Sequence, residues 1–419
     1  MSKKAFAILV GGGPAPGING VISAATIEAI NRGHKVYGVH RGFELIGKGD
    51  LSCVSELSIE KVSRIHNEGG SKLGTSRFNP SKNPEALNNI VEALKQREVG
   101  YLITIGGDDT ATSAQAVAQQ AAGQISVGHV PKTIDNDLPL PSKDSTFGYE
   151  SARTTGTSIV ETLMVDAKTT RRWYFVVAMG RKAGHLALGI GISSGATVTI
   201  IPEELDDGHV PLSTLVNIIV GSMLRRLESG RPYGVAVLAE GLVEKLDPES
   251  IPELATAERD PHGHIRLAEV EFGVIIKNAV RRRLKEIGVS GLPIVEKNVG
   301  YELRCCPPIP FDKEYTRQLG YGVVDFLLGG GSGAMVTRQG DELVPLPFTE
   351  MMDYETGHSK VRMVDTSSSL YRIARKYMIR LGINHLEDQS QLERLASYTS
   401  LAPEELRSQF EEVAKRYGW

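Results

Sequence analysis

The feature that most constrains the fold of this chain is a repeated alternation of short apolar runs with helical patterns. Helical periodicity separates the runs AFAILV (5–10), KVYGVH (35–40), YLITI (101–105) and ISVGHV (125–130). The runs are continuously apolar and rich in β-branched residues, so they predict strands that are buried on both faces. Strands that alternate with helices in this way are typical of a parallel sheet in an α/β fold.

Glycines mark the ends of several apolar runs, and the chain contains 45 of them among its 419 residues. They cluster at Gly11–Gly13, Gly106–Gly107 and Gly329–Gly331. Glycine allows a sharp turn or a close approach of the backbone to a ligand. Ligands of parallel sheets bind beyond the carboxyl ends of the strands. We therefore expect Gly11–Gly13, Gly106–Asp109 and Lys132–Asp137 to contribute to one site.

A second alternating set predicts a second α/β lobe. Its apolar runs are WYFVVAM (173–179), ATVTIIP (196–202) and YGVAVLAE (233–240). A length of 419 residues also favours two cores over one. The segment from about 242 to 290 is charged and poor in strand patterns, and we interpret its Arg281–Arg283 run as a solvated helix face.

The composition excludes several classes of protein. The net charge of −3 gives no reason to expect nucleic acid or an anionic membrane as a partner. Three cysteines, Cys53, Cys305 and Cys306, cannot build a disulfide framework and lack zinc-like spacing, so they predict reduced thiols in a cytoplasmic protein. The first apolar run is too short for a signal peptide or a membrane span.

The motif VGGGPAPGING (10–20) does not fit a dinucleotide site. Counted from Gly11, the third glycine of the G-x-G-x-x-G pattern is replaced by Pro16. The next strand ends in His40–Arg41, where a carboxylate would hold a ribose. A dehydrogenase is therefore disfavoured, and two readings remain open: a phosphate loop at a helix start, or only a tight β–α turn.

Four carboxylates follow two neighbouring strands. In ITIGGDDTATSA, Asp109 can be a helix cap, whereas Asp108 is the better candidate for a Mg²⁺ ligand. In PKTIDND, Asp135 and Asp137 are two residues apart, so an extended chain would point them the same way. Like charges on one face need a metal, the Lys132 ammonium or a hydroxyl that gives up a proton. With a metal, they favour deprotonation of a substrate alcohol.

Six motifs occur in the order GGGPAPG, GGDDT, PKTIDND, MGRKAGH (179–185), AEG (239–241) and YELR (301–304). Over about residues 5 to 335 the chain resembles the phosphofructokinase family, and specifically its pyrophosphate-dependent branch. The resemblance implies two Rossmann-like parallel-sheet lobes and a helical C-terminal tail. It implies a phosphoryl-donor lobe of 1–147 with about 303–365, a fructose 6-phosphate lobe of 148–302, and an extension of about 366–419.

The resemblance also implies a reversible transfer of phosphate from pyrophosphate to the 1-hydroxyl of fructose 6-phosphate, a step of glycolysis and gluconeogenesis. It implies Asp135 as the general base, Asp137 as support for the base and the metal, Asp108 as the Mg²⁺ ligand, and Gly13, Arg77 and Lys132 as donor ligands. The sugar-phosphate residues that it implies are Thr133, Ile134, Asp135, Arg172, Met179, Gly180, Arg181, Glu240, Lys297, Tyr301, Glu302, Leu303 and Arg304. Arg172 and Lys297 would reach a neighbouring subunit, which requires a homodimer and is compatible with a homotetramer.

Two positions bear on the choice of donor. ATP-dependent members of the family carry glycine at the positions of Asp109 and Lys132, which leaves room for a nucleotide. A carboxylate at 109 would repel an α-phosphate, and an ammonium at 132 suits a compact polyanion. The alternative role of Lys132 is to neutralise Asp135 and Asp137.

Other functions remain possible. An ATP-dependent phosphofructokinase would share every motif except those two residues. Lipid or NAD kinases with a GGD loop would lack PKTIDND and MGR. A non-catalytic sugar-phosphate sensor would be expected to lose Asp135, which this chain keeps.

Overall fold

The computed structural model describes residues 3–141, 144–251, 270–351 and 360–418. The chain divides into two compact units. The first unit comprises Met1–Ala152 and Tyr301–Arg362, and the second comprises Arg153–Gly300 and Met363–Trp419. Each unit is therefore assembled from two separate stretches of the chain.

The strands fall into two sheets. In chain order they are β1 (Ala5–Val10), β2 (Val36–Val39), β3 (Val54–Glu56), β4 (Val99–Gly106), β5 (Ser126–Pro131), β6 (Trp173–Ala178), β7 (Val198–Ile200), β8 (Gly234–Ala239), β9 (Ile294–Val299), β10 (Ala334–Gln339) and β11 (Glu342–Pro347). The sheet of the first unit has the order β11-β10-β5-β4-β1-β2-β3, and that of the second has the order β7-β8-β6-β9.

The first sheet is parallel in its centre. Strands β10, β5, β4, β1 and β2 run parallel, and β3 and β11 add antiparallel edges. Along β1, Ala5, Ala7 and Leu9 face a core that includes residues of the helices Pro84–Gln96 and Asp108–Gln120. The intervening residues of β1 are also fully buried. This confirms the prediction of continuously apolar strands with two covered faces.

Sequence signals set several helix ends of the first unit. Asn83 accepts a hydrogen bond from the backbone N–H of Ala86 at 3.1 Å, and Pro84 occupies the first turn that follows. The helices of this unit are Ile18–Asn31, Phe43–Gly47, Ile59–Val62, Pro84–Gln96, Asp108–Gln120, Tyr301–Arg304, Pro310–Leu328 and Phe348–Met351. The helix Tyr149–Thr170 begins in this unit and ends in the second.

The second unit also follows the predicted α/β pattern, with four parallel strands. Its further helices are His185–Ser194, Leu212–Glu228, Leu242–Lys245, Phe272–Glu286, Ser369–Lys376, Ile383–Glu387, Gln389–Ala396 and Pro403–Tyr417. The helical C-terminal tail is thus confirmed, and Pro403 lies in the first turn of its last helix, as the sequence predicts.

The tail is anchored by a buried group that we call the Glu204 cluster: Glu204, Tyr371, Arg375 and Arg380. The Glu204 carboxylate accepts hydrogen bonds from the Tyr371 hydroxyl and from both guanidinium groups. The side chains of Glu204 and Arg380 are only 3% and 1% exposed. Because each charge has an opposite partner inside the protein, burial of this cluster is compatible with a stable fold.

The structure differs from the sequence interpretation in three details. Gly329–Gly331 follows the helix Pro310–Leu328 and not a strand. The Arg281–Arg283 run lies on a helix with Arg281 and Arg282 exposed, as predicted, but Arg283 is partly buried and donates to Asn217 Oδ1 at 3.1 Å. The short or partly polar strands β3, β9, β10 and β11 were not recognised, since they lack a long apolar run.

No helix within the described residues is both long enough and apolar enough to cross a membrane. The three cysteines form no disulfide bond within the described residues; Cys53 and Cys306 are buried and Cys305 is exposed.

Candidate active site

Three loops of the first unit meet at one edge of its sheet. Because β1, β4 and β5 are adjacent and parallel, Gly11–Gly13, Gly106–Asp109 and Lys132–Asp137 leave the sheet side by side. The backbone N–H of Gly11 donates to the Ile105 carbonyl oxygen at 2.9 Å, and that of Lys132 donates to the Gly106 carbonyl oxygen at 2.8 Å. The sheet ladder therefore extends into the loops and fixes their spacing.

Two glycines allow this close packing. A side-chain carbon built on either Gly11 or Gly106 would lie 2.3 Å from the nearest atom of the Thr110 side chain. Such a contact is far shorter than van der Waals distance, so both positions exclude a larger residue. Gly12 adopts a left-handed backbone with φ of 77°, which glycine adopts without strain.

Lys132 is the buried cation of this edge, only 5% exposed. Its ammonium donates to the Gly13 carbonyl oxygen at 2.5 Å. The pKa of Lys132 is lowered to about 8, chiefly by burial and next by the charge of Arg304. Arg77 adds to this shift, whereas the carboxylates Asp135 and Asp137 oppose it. We call Lys132, Arg77, Asp135, Asp137 and Arg304 the Lys132 cluster.

Arg304 lies beside the same glycine loop. A side-chain carbon built on Gly13 would be 3.4 Å from the central carbon of the Arg304 guanidinium. The guanidinium also lies over the exposed ring of Tyr301, 5.4 Å from its centroid. Leu303 is fully buried and anchors this turn, so its side chain is not open to a ligand. Its neighbour Glu302 is exposed.

The aspartate loop is not extended, so the spacing argument for Asp135 and Asp137 does not apply. Asn136 between them has a left-handed backbone with φ of 57°. Thr133 Oγ1 accepts a hydrogen bond from the backbone N–H of Asp135 at 3.0 Å, and Ile134 is buried. Both aspartates are half-buried. The loop is thus a turn in which Ile134 and Asn136 are buried and the two aspartates between and after them stay partly exposed.

His129 stabilises this edge of the sheet, and its sequence context gave no sign of that role. It is fully buried, and its ring nitrogens lie 2.8 Å from Thr104 Oγ1 and 3.1 Å from the Gly106 carbonyl oxygen. Burial lowers the pKa of His129 to about 3, so the ring is neutral at physiological pH. A neutral ring can accept from Thr104 and donate to Gly106, which holds the GGDDT turn.

Asp108 and Asp109 open the helix that follows β4. The cap position is Gly107, so Asp109 is not the helix cap, and it is exposed. Asp108 Oδ1 accepts from the backbone N–H of Asp109 at 2.9 Å. The described part of the chain holds no group of three or more candidate metal-ligating side chains. A single carboxylate still fits Mg²⁺, which commonly binds one or two carboxylates together with substrate phosphates.

A second set of predicted residues meets in the second unit. The backbone N–H of Met179 donates to the Val299 carbonyl oxygen at 3.0 Å, and that of Gly241 donates to the Gly180 carbonyl oxygen at 3.1 Å. Glu240 follows β8, next to β6, so it lies at the same edge as Met179, Gly180 and Arg181. Arg181 forms an ion pair with Glu244 at 2.9 Å.

Glu203 binds the N-terminal end of the helix His185–Ser194, and its sequence context also gave no sign of this role. Its Oε1 accepts from the backbone N–H of Gly184 at 2.8 Å and from that of Val364 at 3.0 Å. Burial raises the pKa of Glu203, and these two N–H groups oppose that rise. Its partners lie 19 and 161 residues away along the chain, so no local pattern could reveal it.

We call Met179, Gly180, Arg181 and Glu240 the Met179 group. Within this chain, Arg172 and Lys297 do not lie beside this group. Arg172 precedes β6, whereas Met179 follows it, so they lie at opposite ends of one strand. Arg172 is 3.8 Å from Asp166. Lys297 is exposed on β9, opposite Val176 in the middle of β6.

Comparison with known proteins gives consistent matches. Residues 5–327 match the family model described as phosphofructokinase. The chain is 53% identical to pyrophosphate–fructose 6-phosphate 1-phosphotransferase of Thermotoga maritima, covering 96% of this chain and 97% of that protein. It is 48% identical to the Naegleria fowleri protein of the same name, covering 96% and 94%. The solved pyrophosphate-dependent phosphofructokinase of Nitrosospira multiformis shares the fold, with a TM-score of 0.69, 18% identity and coverage of 90% and 91%.

Proposed function

Because this chain belongs to the phosphofructokinase family, we propose that it is a pyrophosphate-dependent phosphofructokinase. It transfers a phosphoryl group reversibly from pyrophosphate to the 1-hydroxyl of fructose 6-phosphate, giving fructose 1,6-bisphosphate and phosphate. The two relatives described above carry the corresponding name and match nearly the whole chain.

The observation that carries the choice of donor is the buried Lys132 ammonium at the glycine loop. Burial and two arginines destabilise this cation, the two nearby aspartates offset that only in part, and a compact polyanion would stabilise it. Asp109 is exposed in the first turn of the adjacent helix, where its carboxylate would repel the α-phosphate of a nucleotide.

In the forward reaction, Asp135 takes the proton from the 1-hydroxyl of the sugar. The hydroxyl oxygen forms a bond to the near phosphorus of pyrophosphate, the bond from that phosphorus to the bridging oxygen breaks, and phosphate leaves. Asp137 supports the base, while Lys132, Arg77 and the Gly13 loop bind the donor oxygens. Mg²⁺ held at Asp108 would supply charge neutralisation at the phosphates. The protein thus contributes mainly positioning and electrostatics.

Arg304 serves the donor as well as the 6-phosphate of the sugar. Its implied role is sugar-phosphate binding, but its guanidinium packs on Gly13 and acts electrostatically on Lys132. Thr133 and Tyr301 of the first unit contact the sugar phosphate. Met179 to Arg181 and Glu240 of the second unit keep the sugar-phosphate role that the resemblance implies. Ile134, Glu302 and Leu303 contribute chiefly through the backbone.

A second copy of the chain completes the sugar-phosphate pocket. Arg172 and Lys297 lie away from the Met179 group, which supports their assignment to a neighbouring subunit. The active form is accordingly a homodimer, or a homotetramer built from such dimers. The free cysteines are compatible with the reducing cytoplasm.

The decisive experiment measures fructose 1,6-bisphosphate formation from fructose 6-phosphate and Mg²⁺, with pyrophosphate or ATP as donor in parallel. Activity with pyrophosphate alone supports the proposal. Activity with ATP alone would overturn the donor assignment and keep the family. No activity with either donor would contradict the proposed reaction.

The roles of the two selecting residues can be tested together. In Asp109→Gly/Lys132→Gly, use of pyrophosphate should fall sharply, and any gain with ATP should be small because an adenosine pocket must also exist. Full pyrophosphate activity in this double variant would show that neither residue selects the donor.

A further inference from the structure

Arg362 binds the backbone of the aspartate loop at several points. Its guanidinium Nε donates to the Asn136 carbonyl oxygen at 3.0 Å, and its backbone N–H donates to the Asp137 carbonyl oxygen at 2.8 Å. A further guanidinium nitrogen contacts Asn136 Oδ1, and another donates to the Asp144 carbonyl oxygen at 3.0 Å. These bonds join residues more than 200 positions apart in sequence.

The bonds from Arg362 meet at the residue that gives the loop its turn. Asn136 is buried and has a left-handed backbone, which asparagine adopts more readily than most residues that carry a side chain. Its side-chain oxygen also accepts from the backbone N–H of Thr146 at 3.0 Å, and Thr146 Oγ1 donates to the Thr133 carbonyl oxygen at 2.9 Å. Arg362 and Thr146 thus hold the left-handed turn from two sides.

This turn separates the two carboxylates that the proposed mechanism uses. The backbone directions at Asp135 and Asp137 depend on the conformation of Asn136, because a change in its φ and ψ would swing the flanking residues apart. A general base must lie within hydrogen-bond reach of the proton that it removes. A displacement of about 1 Å can cost about 10²-fold in rate.

Resting on the proposed function, we propose that Arg362 is a positioning residue for phosphoryl transfer, which locks the Asn136 turn and thereby aims Asp135 and Asp137 at the sugar hydroxyl. Burial lowers the pKa of Arg362, and the nearby Asp137 opposes that shift, so the guanidinium stays charged close to the loop. Arg362 acts through the loop backbone and has no assigned contact with either substrate.

The test compares Arg362→Gln and Arg362→Lys with the wild type in the pyrophosphate assay. In Arg362→Gln, kcat should fall by about 10- to 100-fold, while KM for pyrophosphate and KM for fructose 6-phosphate change less than threefold. Arg362→Lys keeps the charge but loses the planar fork, so it should recover only part of kcat. A rise in either KM without loss of kcat, or an unchanged kcat, would overturn the proposal.

Two further variants separate positioning from folding. Glycine adopts the left-handed backbone without strain, whereas alanine adopts it at a cost of about 1–2 kcal/mol, so Asn136→Gly should retain more kcat than Asn136→Ala. Arg338→Gln is the matched control, since Arg338 is close to Asp144 but packs on Tyr315 and Phe311. It should lower the melting temperature and leave kcat unchanged.

The outcomes distinguish this proposal from the function on which it rests. An active wild type with normal kcat in Arg362→Gln rejects the role of Arg362 alone. If Arg362→Gln does not fold, equal kcat values in the two Asn136 variants reject the role of the turn. A wild type that is inactive with both donors rejects the proposed function, and the role of Arg362 in it falls as well.

Discussion

The Lys132 cluster of the first unit and the Glu204 cluster of the second unit differ in how far neighbouring charges compensate the buried one. Burial alone would raise the pKa of Glu204, but Arg380 and Arg375 outweigh it and the net shift is downward. The carboxylate is therefore neutralised within its own unit. At Lys132, burial lowers the pKa, and the largest electrostatic influence, Arg304, has the same sign of charge, so that Asp135 and Asp137 compensate the ammonium only in part.

The difference separates a structural charge from a functional one. A buried charge with opposite partners holds two segments together, as the Glu204 cluster holds the C-terminal tail. A buried charge among like charges destabilises the empty protein and is stabilised by a ligand of opposite charge. On this basis the Lys132 cluster is suited to binding an anion, whereas the Glu204 cluster stabilises the fold.

The largest effect is expected in the structural cluster. Glu204→Leu leaves Arg375 and Arg380 buried without their carboxylate, so it should lower the free energy of unfolding by about 3–5 kcal/mol. Denaturant unfolding measures this loss, and kcat of the protein that remains folded should be unchanged. A variant as stable as the wild type would remove the distinction between the clusters.

Lys132→Met should have the opposite pair of effects, a large loss of activity and a small change in stability. Loss of the ammonium at the donor site should lower kcat/KM for pyrophosphate by about 10²–10³-fold. The free energy of unfolding should change by less than about 1.5 kcal/mol, because only one net hydrogen bond is lost. Parallel kinetics and denaturation measure both quantities. Strong destabilisation with normal kinetics would make Lys132 a structural residue.

Arg304→Gln tests whether the Arg304 guanidinium binds pyrophosphate or only the 6-phosphate of the sugar. Loss of a charge-assisted hydrogen bond is worth about 1.5–3 kcal/mol, so KM for pyrophosphate should rise by about 10- to 100-fold. Arg181→Gln, in the second unit, is the control and should raise KM for fructose 6-phosphate only. If Arg304→Gln changes only KM for the sugar, its guanidinium does not serve the donor.

The smallest effect is a pH dependence. Because the pKa of Lys132 is about 8 in the free protein, kcat/KM for pyrophosphate should fall as pH rises through about 8. This decline should be absent in Lys132→Arg, whose guanidinium stays charged. A profile that is the same in both proteins would assign the decline to another group.

The two clusters also predict opposite effects of pH on stability. The pKa of Lys132 is lowered from 10.5, so the unfolded chain binds more protons between about pH 8 and 10.5, and stability rises with pH there. The pKa of Glu204 is lowered from 4.5, so its contribution is present above that value and is lost as pH falls through the folded pKa. Unfolding measured across both ranges in the two variants checks the signs.

Much of the fold was predictable because its signals are local. The apolar runs predicted β1, β4 and β6 within a residue or two, and Pro403 marked the first turn of the last helix. The lobe that each substrate occupies, and the individual site residues, stay predictions. Their proposed chemistry rests on the motifs that carry the family resemblance.

The parts that sequence reasoning missed depend on contacts between distant residues. Arg362 lies 226 residues from Asn136, and Val364 lies 161 residues from Glu203. His129 is part of an ordinary apolar strand, and only its partners Thr104 and Gly106 identify its role. The assumption of an extended PKTIDND segment failed because a hydrogen-bond network stabilises the left-handed Asn136.

The sequence by itself determined the strand pattern, the glycine turns and the residue types at the strand ends, since hydrophobic periodicity and backbone preferences act between near neighbours. The tertiary structure alone decided that Arg304 packs on Gly13, that Arg362 holds the aspartate loop, and that Glu204 is neutralised by the tail. Hydrogen bonds and charge interactions depend on distance in space, and folding makes neighbours of residues that are far apart along the chain.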